Sequence, residues 1–63
     1  MDCPTWMKLT AACAMLGVPE ALAREYVADS VRLLSDAEML GLASDPQLLR
    51  ADFALWLLAG GDR

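Results

Sequence analysis

The chain has 63 residues, enough for one small domain, and carries nine acids, five bases and no His, a formal net charge of −4. A domain of this size buries only about 60% of its unfolded surface, and below about 70–80 residues a staple or an oligomeric partner often makes up the shortfall. The charge argues against direct nucleic-acid binding, which relies on Lys and Arg to neutralise phosphates. The lack of His removes the commonest general base and the commonest metal ligand.

Residue usage points to an all-α fold. Twelve Leu, 11 Ala and 4 Met stand against 3 Val and no Ile, so strong helix formers dominate and the β-branched residues that favour strands are scarce. Gly, Pro and capping residues then divide the chain into a compact bundle of four short helices, read as a single small domain over residues 1–63. The first helix begins at Thr5 or Thr10, runs to Leu16 and stops at Gly17, a natural terminator. Pro19 fits the first position of a second helix, where its missing N–H costs nothing. That helix continues to about Leu34, with Ala23, Tyr26, Val27, Val31 and Leu34 as its apolar stripe at three- and four-residue spacing. Glu20 and Arg24, four residues apart, make an i,i+4 ion pair.

The run Ser35-Asp36-Ala37-Glu38 has the form of a capping box, in which the hydroxyl accepts from an orphan amide and the Glu reaches back. It opens a short third helix through Ala43, weakened by Gly41. Asp45 is then an N-cap and Pro46 the first residue of a fourth helix, which runs to about Ala59 and ends at Gly60-Gly61. Phe53 to Gly61 holds no polar side chain, yet it is far short of the roughly 20 residues that span a bilayer. No leader precedes it either, so a cytoplasmic location without membrane association is expected.

Residues 9–34 resemble the helix-turn-helix of MerR-type and excisionase-like domains. Thr10, Ala12, Leu16, Gly17, Val18, Arg24 and Tyr26 stand in that family's order, and Val31-Arg32-Leu33-Leu34 resembles the segment that follows. The resemblance implies a helix-turn-helix-like corner whose second helix enters the major groove, where Arg, Lys, Asn and Gln read base edges. The polar face of this second helix departs from that chemistry, setting Glu20, Glu25 and Asp29 against Arg24 and Arg32.

Candidate catalytic groups are sparse. Asp36 with Glu38 fits capping and the helix dipole, and Glu25 with Asp29 fits a solvated face. A bundle this small has little room for a pocket of the usual 300–1,000 Å³, so no enzymatic activity and no small-molecule substrate are expected. Cys3 and Cys13 read as free thiols, Cys13 as a small hydrophobe in the core. Neither a metal nor a cofactor site is expected.

Two surfaces remain. Glu20, Glu25, Asp29, Asp36 and Glu38 form an acidic face, complementary to a basic groove such as that of a nucleic-acid-handling complex. The fourth helix carries two apolar stripes: Leu49, Phe53, Trp56 and Leu57 on one, and Leu48, Ala51, Leu55 and Leu58 on another, displaced around the axis. An outer helix needs a single stripe of about 100° or slightly more. The surplus makes Phe53, Trp56, Leu57 and Leu58, with Trp6 as a partial cover, the candidate protein interface. The function expected is a non-enzymatic regulator or adaptor that binds another protein or itself. The alternatives are an acidic inhibitor of the kind carried by phages and mobile elements, acting as anti-CRISPR and anti-restriction proteins do, and a divergent MerR- or excisionase-like DNA binder.

Overall fold

In a computed structural model, described here for residues 3–61, the chain forms four α-helices and, among the described residues, no strand. They are α1 (Thr5–Met15), α2 (Glu20–Leu33), α3 (Asp36–Ser44) and α4 (Pro46–Leu58). The radius of gyration is 10.5 Å, against about 10.6 Å for a compact domain of this length. Apolar exposure on this molecule therefore does not come from loose packing.

Local chemistry explains each boundary. At the end of α1, Gly17 donates to the carbonyl of Ala14 at 3.0 Å and Val18 to that of Cys13 at 3.1 Å, with Gly17 at φ +84°. This pair of bonds is a Schellman motif, which only a residue tolerant of positive φ closes without strain. Pro19 is the N-cap of α2, one position earlier than the sequence suggested; its fixed φ of −56° still leads into the helix. The capping box is complete: Glu38 N–H donates to Ser35 Oγ at 3.2 Å, and Ser35 N–H donates to Glu38 Oε1 at 3.3 Å. Asp45 accepts from the amides of Gln47 and Leu48 at 3.1 and 3.2 Å, and it is also the last residue of the α3 end. At the other terminus Gly60 and Gly61 close a second Schellman motif on Leu57 and Trp56, at 3.0 and 2.9 Å.

The core takes residues from all four helices: Leu9 and Cys13, Ala23, Tyr26 and Val27, Met39 and Leu42, Leu49 and Trp56. α1 packs most extensively against α3, then against α2, while α4 packs on α3. One apolar stripe differs from its sequence reading. Ser30, not Val31, joins Ala23, Tyr26 and Val27 as a buried residue of α2, and Val31 is half exposed. At 100° per residue Ser30 lies in the middle of the arc that holds Ala23, Tyr26 and Val27, and Val31 is rotated off it. Ser30 Oγ donates to the Tyr26 carbonyl at 2.8 Å, which satisfies the hydroxyl inside the core. Cys3 and Cys13 are both free thiols, one exposed and one buried, and burial pushes the Cys13 thiol above its usual pKa.

Candidate protein interface

α4 turns one face to α2 and another to solvent. On the inner face, Phe53 and Trp56 meet Tyr26 of α2 in a three-ring cluster. The centroid separations are 5.3 Å for Tyr26–Phe53, 5.4 Å for Tyr26–Trp56 and 5.6 Å for Phe53–Trp56. Both contacts of Tyr26 are edge-to-face, at 85° and 75°, the arrangement that sets a positive ring edge on a negative ring face. Two crossed hydrogen bonds complete the seam. Tyr26 donates its hydroxyl to Asp52 Oδ2, and Trp56 donates its indole N–H to Asp29 Oδ2 at 2.9 Å. Each helix thus contributes one aromatic donor and one carboxylate acceptor. Hydrogen bonds to charged acceptors contribute about 1.5–3 kcal/mol each.

This seam reassigns part of the expected interface. Trp56 is 3% exposed, covered by Tyr26 and Phe53, and the chain past Gly60 folds back so that Gly61 lies against its ring. Phe53 is partly buried and packs on the core. Both belong to the interior of the domain, and α2 is the element that covers Trp56. Spacing alone could not identify that cover, because the partners lie 26 and 27 residues away in sequence. Leu57 and Leu58 stay exposed.

The outer face of α4 is different. Leu48, Leu55 and Leu58 are 50%, 65% and 84% exposed, and Ala51 and Ala54 are exposed beside them. Leu48, Ala51, Leu55 and Leu58 follow one another at intervals of three, four and three residues, a seam spacing for helix-on-helix contact. After Arg50 no exposed residue of this helix is polar. Pro46, Gln47, Arg50, Ala51 and Ala54 line a shallow open hollow of about 420 Å³ along the same side. Leu48, Ala51 and Leu55 carry the signal that the expected interface set did not include.

Trp6 is half exposed and sits elsewhere, on an open groove of about 710 Å³ between α1 and α2. Val27, Ala28 and Val31 form its apolar floor, with Glu20, Arg24 and Arg32 at its margins. The small domain therefore does hold a concavity in the size range that the sequence reading had set aside. It is an open groove, where the small side chains of Thr10 and Ala28 leave the space between the helices unfilled.

The five acids of the expected acidic face divide by role. Glu20 pairs with Arg24 at 2.8 Å, Glu38 is occupied by the α3 cap, and Asp29 holds Trp56 with Arg32 at 3.9 Å. Glu25 and Asp36 are exposed, with no hydrogen bond or ion pair of their side chains among the described residues. At the corner between α1 and α2, Leu16 and Val18 pack against the core, while Tyr26 is fully buried and Arg24 pairs with Glu20. No group of three His, Cys, Asp or Glu residues able to hold a metal ion occurs among the described residues. Nor is any described helix long and apolar enough to cross a membrane. Comparison of the chain with models of known families, with curated proteins and with solved structures finds no match.

Proposed function

We propose that the protein acts as a small non-enzymatic regulator or adaptor that binds protein through the outer face of α4, with Leu48, Ala51, Leu55 and Leu58 as its contact stripe. One observation carries this reading. The domain is compact and its aromatic residues on α4 are already used internally, yet three leucines of that helix remain half or more exposed. A contiguous apolar face on a well-packed small domain marks an interaction surface. Its composition, leucine and alanine with charge only at Arg50, suits a helical partner surface.

The acidic-inhibitor reading draws less support, because Glu20, Asp29 and Glu38 already have partners within the chain. The DNA-binding reading is weakened in the same way by the Glu20–Arg24 pair. Capture of partners from cell extract with the wild type and with Leu55→Ser tests the proposal, with helicity by circular dichroism as the folding control. Loss of the captured protein, or of self-association, in a fully helical variant supports it. A folded Leu55→Ser protein with unchanged capture and unchanged mass in solution removes it.

A further inference from the structure

Independently of α4, we infer that the groove between α1 and α2 is a second docking site, whose occupant is an amphipathic helix of a partner protein with a carboxylate that meets Arg32. Trp6 of α1 and Val27, Ala28 and Val31 of α2 give this groove of about 710 Å³ its apolar interior. Trp6 and Val31 are each 49% exposed, on a domain that buries its other tryptophan to 3%. Thr10 and Ala28 are the small residues of the two walls, and small residues at facing positions leave room for the side-chain ridge of a third helix. An open apolar trough between two packed helices is the surface on which an amphipathic helix docks.

Charge decides which kind of helix. The chain carries a net charge of −4, so an acidic partner is repelled by the molecule as a whole. The groove has the opposite sign: Arg24 and Arg32 line it against one acid, Glu20, and α1, its other wall, contains Lys8 and no acid. Glu20 holds Arg24 at 2.8 Å in the first turn of α2. Arg32 lies eight residues past Arg24, about 12 Å along the axis. Among the described residues it makes no hydrogen bond, and its one ion-pair contact is Asp29 Oδ1 at 3.9 Å. The other oxygen of Asp29 already accepts from Trp56. On the wheel Asp29 and Glu25 are rotated about 160° and about 120° from Val31, so neither acid lines the floor beside Arg32.

The residue types fit that role. Trp and Arg are the side chains most often found at the energetic centre of protein contacts, and here one of each borders a single apolar floor. A guanidinium takes a carboxylate through two parallel N–H donors, which fixes the register of a helix whose leucines alone would slide along the trough. One trough and one charge pair give a modest affinity, a dissociation constant of order 50 μM. With the leucine stripe of α4, the domain then has two docking faces of different chemistry, as a protein that joins two partners requires.

The test is a titration of the isotopically labelled full chain, followed by its amide and indole resonances, with two synthetic peptides. One is a helix bearing a leucine stripe edged by glutamates, and its twin has lysines in place of those glutamates. The glutamate peptide should shift the Trp6 indole and the amides of Ala28, Val31 and Arg32, and bind at least about tenfold more tightly than its twin. That preference runs against the net charge of the chain, so long-range attraction cannot produce it. Arg32→Gln should erase the preference and Arg32→Glu should reverse it, both with wild-type helicity because the side chain is 75% exposed. Val31→Asp, which puts a charge on the half-exposed floor, should abolish binding of either peptide. Equal affinity for the two peptides, or a preference that survives Arg32→Gln, would overturn the acidic partner. Shifts confined to α4, or none up to about 1 mM peptide, would overturn the groove as a docking site. Self-association of the unmixed protein that Val31→Asp removes would make the occupant a second copy and likewise overturn it.

Discussion

On its inner side α4 sets Phe53 and Trp56 against Tyr26, with both polar aromatic atoms bonded to carboxylates across the seam. On its outer side the same 13 residues present Leu48, Leu55 and Leu58 to solvent beside two alanines. Both faces are apolar in sequence, but only the inner one has donors matched to acceptors. Such matching makes a packing arrangement specific, since a buried donor left unsatisfied costs about 1–3 kcal/mol. The leucine stripe of the outer face carries no such donor–acceptor pair and so would leave any partner free to slide or dissociate. The difference separates a permanent internal contact from one suited to reversible association.

Substitutions on the two faces should separate them most sharply. Trp56→Ala is expected to cost about 3–5 kcal/mol, against a total stability of about 3–9 kcal/mol for a domain this size. Urea melts should show the variant largely unfolded. Asp29→Ala removes the acceptor of the Trp56 indole and should lower stability by about 1.5–3 kcal/mol, read from the same melts with wild-type helicity retained. Gly60→Ala, at φ +82° with open space around its Cβ position, should cost about 1–2 kcal/mol from backbone strain alone. Leu58→Ser should shift stability by no more than about 0.5 kcal/mol while reducing association. A large loss of stability there would show that the outer face belongs to the fold.

The smallest effect concerns Cys13. Its raised pKa comes from burial, so its thiol stays neutral in the fold after the unfolded chain has begun to ionise. The stability it lends is complete below the ordinary cysteine pKa and declines as pH rises through the raised value. Alkylation should modify exposed Cys3 first and reach Cys13 only at the rate of opening.

The helices were legible because their signals are local. Ser35 and Glu38, Asp45 and Pro46, and the glycines at 17 and 60 act within four residues of themselves. The two stripes on α4 were legible from spacing as well. Which stripe faces inward was not, because that depends on Tyr26 and Asp29, two helices earlier in the chain. Asp29 is a clear case: on a helical wheel it reads as one more solvated acid, and only its position opposite Trp56 gives it a structural role. Ser30 escaped for a related reason, since a serine at the centre of an apolar arc looks like an interruption until its hydroxyl is seen to bond the preceding turn.

Asp45 ends α3 and begins α4 with no residue between. A link of one residue, its carboxylate bonded to two amides of the following helix, leaves α4 almost no freedom to swing relative to α3. The leucine stripe is therefore displayed at a fixed angle before anything meets it. A contact made there gives up little conformational entropy, so even a narrow strip of apolar surface can hold a partner that a tethered, mobile helix of the same sequence would release.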